Sequence, residues 1–361
     1  MRSEIRCILE LCRFLDSDPK TLSALLAQPL DLPYILGQVL YNRMGGAAYF
    51  TLKENNLLGR VNREFRSTLQ AIYQVGMDKA RSLLQALEML EDVLRQADFP
   101  YALLKGAFLA ELYPMGLRTS NDIDILIEPQ HITSLAQLLS QAGFRQGNIR
   151  NGVFTPATRA EIISSRMNRG ETIPFIKKID LPKMEYLELD INFSLDFQAK
   201  NKNDNVSILL QRAEKGINGC LYTLSLPDFL IHLCAHLYKE ATVISWVEMG
   251  RDQSLYKYAD IYLFVHRYMT PAFAKFLAER ITAYGLQKEC AYAFLYTREL
   301  FFIQNKNFDW LIETICPADT NFRRQVLEPQ TGKLYTHALN LTEWIFCMNR
   351  KEHLHETGYD G

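Results

Sequence analysis

Hydrophobic residues recur at helical spacing through the first 98 residues. The clearest case is KARSLLQALEMLEDVLRQADF, in which leucine and valine return every three or four positions beside a charged face. Phe99-Pro100 ends this pattern, because proline is not accommodated inside a helix. The spacing therefore predicts an N-terminal helical region over residues 1–98, with the apolar stripe in the core.

Short apolar runs replace this pattern between residues 99 and 200. YALLKG predicts a buried strand that turns at Gly106 into the helix AFLAELY, DIDILIE predicts a second strand, and HITSLAQLLSQAGF predicts a helix. Residues 145–183 are irregular, with hairpin strands expected around TIPFIKKI. MEYLELDINF then alternates, with Glu188, Asp190 and Asn192 on one face and apolar side chains on the other.

Helical periodicity returns with SLPDFLIHLCAHLYKEA and continues towards the end of the sequence. We therefore predict a C-terminal helical domain over residues 201–361. The fold class expected from the whole pattern is α+β, with a small mixed sheet in a core at residues 99–200 and helical regions on both sides of it.

Composition bears on three properties: binding to polyanions, the redox state of the cysteines and association with membranes. Among 361 residues, 40 lysines and arginines face 41 aspartates and glutamates, so no global positive field favours polyanions. The seven cysteines are scattered and include no C-x-x-C pair, which favours reduced thiols. Since we find neither a signal peptide nor an apolar run of about 18 residues, we expect a bacterial-type cytoplasmic protein without a membrane partner.

The candidate chemistry lies in carboxylates at the start of a strand. Asp122 and Asp124 are two residues apart, so both side chains project from one face. If the strand that carries Asp190 pairs with this one, a third carboxylate joins them and two Mg²⁺ ions can be held together. One ion would carry a triphosphate and the other would lower the pKa of an acceptor hydroxyl. The Lys105-Gly106 turn can add backbone N–H groups and a positive charge for phosphate.

Two other enzyme classes use a DxD pattern. GT-A glycosyltransferases and DxD phosphohydrolases place the aspartates at the end of an apolar strand, whereas here they open it. A purely structural interpretation also exists, in which DID lies at a strand edge and Lys105-Gly106 is an ordinary turn. The strand-turn-helix unit and the later carboxylate strand favour catalysis.

These motifs also carry a family resemblance. LLKGAFLAELYP followed by RTSNDIDILI resembles the uncharacterised nucleotidyltransferase family of the DNA-polymerase-β-like superfamily, with its L-K-G-x-x-L…Y…R…D-h-D-h-h-h pattern. The N-terminal helical part, the core and LSLPDFLIHLCAHLYKE all look similar. The resemblance implies a β-polymerase-like core, with Asp122, Asp124 and Asp190 as catalytic ligands of Mg²⁺ or Mn²⁺. It also implies that Lys105 and Gly106 bind the nucleotide and that an NTP is the donor, with ATP as the first candidate.

The resemblance extends to four further nucleotide-site candidates. Arg118 matches the family's arginine and would contact phosphate, with a salt bridge to the acidic cluster as the alternative. His236 and Lys239 match polar positions that line the nucleotide cleft, with a packed or solvated position as the alternative. Asp260 belongs to a pair with Lys257 that would close the cleft, and an intrahelical ion pair is the alternative.

Two positions depart from expected patterns. Asn192 stands where the family often has histidine, and an amide cannot shuttle protons. Glu188 shares a face with Asp190 and is the alternative third ligand, although the family pattern favours Asp190. His232 and His236 have the i, i+4 spacing of zinc ligands, but Leu233 stands where a metalloprotease needs glutamate and no third ligand is evident.

The segment between residues 141 and 183 is locally basic. It carries eight basic residues against three acids: Arg145, Arg150, Arg159, Arg166, Arg169, Lys177, Lys178 and Lys183. An RNA or another phosphate-bearing acceptor could use this excess, although exposed hairpins are commonly charged.

The sequence thus supports two hypotheses about function. The first is Mg²⁺-dependent transfer of NMP from an NTP to a hydroxyl on a small molecule, a tRNA end or a protein side chain. The second is a catalytically weak nucleotide-binding module that regulates a partner protein.

Overall fold

The computed structural model describes residues 1–120, 122–168, 171–194, 205–217 and 219–357. The chain forms two compact units, one made of Met1–Tyr73 with Leu230–Gly361 and the other of Gln74–Phe229. This partition differs from the predicted boundaries at residues 98 and 200. Residue 200 lies outside the described residues, and those boundaries stay predictions.

The N-terminal part is helical, as the periodicity predicts. Its helices are α1 (Ser3–Cys12), α2 (Pro19–Leu26), α3 (Leu32–Tyr41), α4 (Gly45–Glu54) and α5 (Arg63–Leu94). Both α2 and α3 begin with proline at the first or second position, and the side chains of Asp18 and Asp31 accept hydrogen bonds from the first-turn N–H groups. Local sequence therefore defines where these helices begin.

A mixed sheet forms the centre of the unit from 74 to 229. Its strands are β1 (Tyr101–Leu103), β2 (Asp122–Ile127), β3 (Arg145–Arg150), β4 (Val153–Pro156), β5 (Phe175–Leu181), β6 (Met184–Asn192), β7 (Glu214–Ile217) and β8 (Leu221–Thr223). The intervening helices are α6 (Gly106–Leu112), α7 (Ile132–Gln141), α8 (Arg159–Asn168) and α9 (Asn205–Gln211). The strand order is β4-β3-β5-β6-β2-β1-β8-β7.

The centre of this sheet pairs β2 with β6 in parallel, and β1 runs antiparallel to β2. The alternation predicted for β6 is confirmed: Leu187, Leu189 and Ile191 are buried, whereas Glu188 and Asp190 are partly exposed. Ile123 and Ile125 of β2 are also fully buried on that apolar face. One face of the sheet therefore forms core, and the other carries the acids.

The α+β class and the mixed sheet are confirmed, but the sheet is larger than predicted. Residues 145–183, expected to be irregular apart from hairpin strands around residues 172–179, contain β3, β4 and α8 as well as β5. The outer hairpin β3–β4 lies at the edge of the sheet and most of its residues are exposed or only partly buried, so it has no clean apolar alternation to read. The strands β7 and β8 have only four and three residues, too few for a period.

The remaining helices are α10 (Leu226–Thr242), α11 (Ile244–Glu248), α12 (Leu255–Tyr268), α13 (Pro271–Tyr284), α14 (Gln287–Phe301), α15 (Lys306–Ile315) and α16 (Leu341–Phe346). The prediction of a helical region over residues 201–361 is wrong for five short strands. These are β7 and β8 of the mixed sheet, and β9 (Gln325–Leu327), β10 (Leu334–Thr336) and β11 (His355–Glu356). Across the described ranges, no helix combines the length and apolar character needed to cross a bilayer.

Candidate active site

Four carboxylates lie in two aligned pairs on the polar face of the sheet. In the parallel pairing of β2 with β6, Asp122 is opposite Glu188 and Asp124 is opposite Asp190. Directly opposed side chains in neighbouring strands point to the same face and lie close together. The predicted meeting of Asp122, Asp124 and Asp190 is therefore present in the register, and Glu188 belongs to the same group.

Asp124 has nitrogen partners on both of its oxygens. The Lys105 ammonium lies 3.7 Å from Oδ2, and the Asn192 side-chain amide donates to Oδ1 at 3.1 Å. Lys105 reaches this position because the N–H of Leu104 donates to the Asp124 carbonyl at 2.9 Å, which extends the β1–β2 ladder to the turn. The side chains of Lys105 and Asp124 are 17% and 13% exposed, so little solvent screens this ion pair.

The Lys105-Gly106 turn has an unusual backbone. Lys105 has φ +36° and ψ −108°, in a region that side chains other than glycine rarely occupy. A Cβ on Gly106 would lie 2.7 Å from both Cβ and Oγ of Ser120, closer than atoms can approach. Ser120 in turn donates to Asp122 Oδ1 at 2.5 Å. The missing side chain at Gly106 thus admits Ser120, which orients Asp122.

Burial and the neighbouring carboxylates raise the pKa values of Asp190, Asp124 and Glu188. Burial raises the pKa of Asp190 to about 8, and the charges of Asp124, Asp122, Glu171 and Glu188 add to this rise. Burial also raises the pKa of Asp124, while the positive charge of Lys105 opposes it. At neutral pH a carboxyl with a pKa near 8 is mostly protonated. The cluster therefore retains a proton on Asp190 at neutral pH, because its neighbours do not compensate a further negative charge.

These side chains form a chemically suitable donor set for a hard cation. Carboxylate oxygens are the preferred ligands of Mg²⁺, and excess negative charge is what a cation relieves. The side-chain Oδ1 of the buried Asn192 also has no hydrogen-bond partner among the described residues. However, no three His, Cys, Asp or Glu side chains in the described part of the chain already stand in a metal-holding arrangement. Lys105 and Asn192 instead occupy the space around Asp124, so a cation would have to compete with Lys105.

Arg118 lies in the polar connection before β2. Its guanidinium donates to the Thr119 carbonyl at 2.7 Å, and its charge opposes the rise that burial causes in the pKa of Asp124. It is therefore within electrostatic reach of the acids. Whether it contacts phosphate stays a prediction.

A sequence model of the family described as uncharacterised nucleotidyltransferase matches residues 29–302. The chain belongs to this family. The match includes all four aligned carboxylates, the Lys105-Gly106 turn and helices α3 to α14. Membership in this nucleotidyltransferase family indicates nucleotidyl transfer as the general chemistry. Neither the curated proteins nor the solved structures gave a match to the chain.

The remaining predicted residues of the nucleotidyltransferase site, His236, Lys239 and Asp260, lie in the other compact unit. His236 Nε2 is 3.4 Å from Glu240 Oε1, and Asp260 is buried on α12. The ion pair found for Lys257 is with Glu240, at 2.7 Å between Nζ and Oε2, and it joins α12 to α10. A nucleotide-binding role for the three predicted residues stays a prediction.

Sequence reasoning missed Ser120 and Glu171, and it placed Asn192 on the acid face without its contact to Asp124. Ser120 and Asn192 hold Asp122 and Asp124, and Glu171 adds a negative charge beside Asp190. Ser120 stands two residues before Asp122, a spacing at which serine side chains commonly bond locally, so a signal existed. Glu171 pairs with Asn192 in an isolated antiparallel β-bridge, and no sequence pattern indicated that contact.

The basic segment is partly neutralised by its own acids. Arg150 lies 3.9 Å from Glu161, and Lys178 lies within 3.5 Å of both Asp180 and Glu185. Arg169 lies outside the described residues, as does the side chain of Arg166.

Proposed function

We propose that this chain transfers a nucleoside monophosphate from an NTP, with ATP as the first candidate, to a hydroxyl-bearing acceptor in the presence of Mg²⁺ or Mn²⁺. The observation that carries the proposal is the register of β2 with β6, which aligns Asp124 with Asp190 and Asp122 with Glu188 beside Lys105. The proposal includes a polymerase-β-like core. Acids on neighbouring parallel strands of a mixed sheet support it.

Asp122, Asp124 and Asp190 would hold the cation, which supplies positive charge against the triphosphate and lowers the pKa of the acceptor hydroxyl. Asn192 keeps the Asp124 carboxylate in one orientation, and Ser120 does the same for Asp122. Both contacts reduce the conformational freedom that the carboxylates would lose when a ligand binds.

Lys105 has a double role in this proposal. Without ligand its ammonium pairs with Asp124. When a cation takes that carboxylate, the ammonium becomes available for a phosphate oxygen of the donor. Since α6 has only seven residues, we assign the phosphate contact to the Lys105 side chain rather than to the helix dipole.

The test is Mg²⁺-dependent consumption of each NTP, followed by labelled transfer in a cell lysate. Asp124→Asn and Asp122→Asn should reduce turnover at least about 100-fold while the circular dichroism spectrum stays unchanged, because each removes a ligand charge. Asp180→Asn is the matched control, since Asp180 is an exposed acid on β5 of the same sheet. Turnover of the Asp124 and Asp122 variants within threefold of the control would refute the proposal.

A second candidate is a nucleotide-binding regulatory module that acts with a partner protein. The partners already present on both oxygens of Asp124 favour it, because they stabilise the site without a cation. Calorimetry with each NTP, with and without Mg²⁺, separates the two. Binding that does not need Mg²⁺ and leads to no labelled product would support the regulatory role.

A further inference from the structure

The outer hairpin of the sheet carries an aromatic and a cation on the same face as the acids. Arg145 of β3 is opposite Ile176 of β5, Ile176 is opposite Glu188 of β6, and Glu188 is opposite Asp122 of β2. Residues in one such row share a face. Arg145 therefore lies on the carboxylate face, two strands from Glu188 and three from Asp122, with the buried Ile176 between them.

Phe154 completes this arrangement. It pairs with Ile149, which alternation places on the same face as Arg145. The Arg145 guanidinium carbon lies 4.7 Å from the centroid of the Phe154 ring. We call this pair the Arg145–Phe154 platform.

Glycine makes the platform possible. A Cβ on Gly147 would lie 2.6 Å and 2.8 Å from two ring carbons of Phe154, so the ring lies directly over this residue. Any larger residue would force the ring away. Phe154 is partly exposed and Arg145 is exposed.

The described partner of the Arg145 guanidinium is the Phe154 ring. No described acid lies within ion-pair distance of its guanidinium, whereas Arg150, on the opposite face of the same strand, lies near Glu161. A flat aromatic ring with an uncompensated guanidinium is the combination on which nucleic-acid bases stack and to which phosphates bind.

We propose that the Arg145–Phe154 platform binds a base of a single-stranded nucleic acid whose terminal hydroxyl is the acceptor. The proposal rests on the proposed function for the identity of the acceptor, but not for binding itself. Strands lie about 4.8 Å apart, so Arg145 is roughly 10 Å from Glu188 and roughly 14 Å from Asp122. About three or four stacked bases, at 3.4 Å each, cover that distance.

The test is fluorescence anisotropy of labelled ten-nucleotide single strands of RNA and of DNA with the full chain, without NTP or divalent cation. Wild type should bind at least one of them, and comparison of the two identifies the strand chemistry. Phe154→Leu should weaken binding about tenfold, because leucine offers no ring face on which a base can stack. Phe154→Tyr, which keeps the ring, should bind like wild type.

Arg145→Gln should weaken binding about fivefold and reduce its salt dependence. Arg150→Gln is the matched control, with the same charge change on the opposite face of β3, and should change affinity less than twofold. Failure of wild type to bind either strand, or equal losses in the two arginine variants, would overturn the inference.

The assay contains no transfer step, so its outcome is separable from the proposed function. Strand binding without NTP turnover would support the Arg145–Phe154 platform and refute the proposed nucleotidyl transfer. NTP turnover without strand binding would support the transfer and refute the platform.

Discussion

Two regions of the molecule bury carboxylates, and they differ in how far neighbouring cations and hydrogen-bond donors compensate the negative charge. In the unit of 1–73 and 230–361, Asp252 is fully buried but accepts from Arg350 Nε at 2.9 Å and from the Trp344 indole at 3.1 Å. On the sheet of the other unit, Asp122, Asp124, Glu188 and Asp190 are aligned, and the described salt bridge to these acids is that of Lys105 at 3.7 Å.

The difference separates a structural from a functional use of charge. Arg350 also donates to the carbonyls of Ile345 and Cys347, so the Asp252 pair closes the C-terminal segment. The acid cluster instead leaves Asp190 with a pKa of about 8. A carboxyl that its surroundings keep protonated in this way is expected where a ligand supplies the positive charge that ionises it.

The largest effect should come from breaking the compensated region. Arg350→Met leaves Asp252 buried without its cation and removes the donors to the carbonyls, so the free energy of unfolding should fall by about 3–5 kcal/mol. Urea unfolding measures it. Lys351→Met is the neighbouring control, since its ion pair with Glu248 is exposed, and it should cost less than about 1 kcal/mol. Equal losses in the two variants would contradict the comparison.

Removing an acid from the carboxylate cluster should instead increase the free energy of unfolding. The pKa of Asp190 is higher in the folded protein than in the unfolded chain, so between about pH 4 and pH 8 the folded state binds more protons and stability falls as pH rises. Asp190→Asn should therefore stabilise the protein by about 2–4 kcal/mol at pH 8 and by almost nothing at pH 4. Thermal unfolding at both pH values measures this, with Asp180→Asn as control. A destabilised Asp190→Asn at pH 8 would show that the cluster is already compensated.

Binding of Mg²⁺ at the acid cluster should stabilise wild type. At 100-fold excess over its dissociation constant, Mg²⁺ should contribute about 2–3 kcal/mol, because it binds only the folded state. Binding should also release protons at pH 7, since Asp190 must ionise. Calorimetry in buffers of different ionisation enthalpy measures the release. Binding without any proton release would contradict the raised pKa.

The smallest effect concerns the turn beside the acids. Gly106→Ala introduces a Cβ 2.7 Å from Ser120, so Ser120 and with it Asp122 must move, at a cost of about 1 kcal/mol. Ser120→Gly in the same chain should recover part of this loss, because the clash is with the Ser120 side chain. Urea unfolding of the two single variants and the double variant measures this. Strictly additive losses would show that Gly106 acts through another contact.

Much of this arrangement follows from residue order. Periodicity predicted α5 to α7 and the central strands, because each buries one face, and alternation put Asp122 with Asp124 and Glu188 with Asp190. The edge hairpin β3–β4 could not be predicted, because it buries neither face well.

Predicting the site also requires knowledge of which strands pair and in which register. Lys105 meets Asp124 only because β1 runs antiparallel to β2, and Asn192 reaches the same carboxylate only in the observed register of β6. A shift of one residue in either pairing would turn these side chains to the other face. Local sequence does not determine that choice.

The central claim is that the aligned carboxylates bind a divalent cation. The most direct test measures Mn²⁺ binding to the protein without nucleotide at pH 7.5, with the electron paramagnetic resonance signal of the free ion as the readout. We expect saturable binding to wild type that is at least about tenfold weaker in Asp122→Asn, Asp124→Asn and Asp190→Asn. Asp180→Asn should bind like wild type. No binding to wild type, or equal binding to all four variants, would contradict the account.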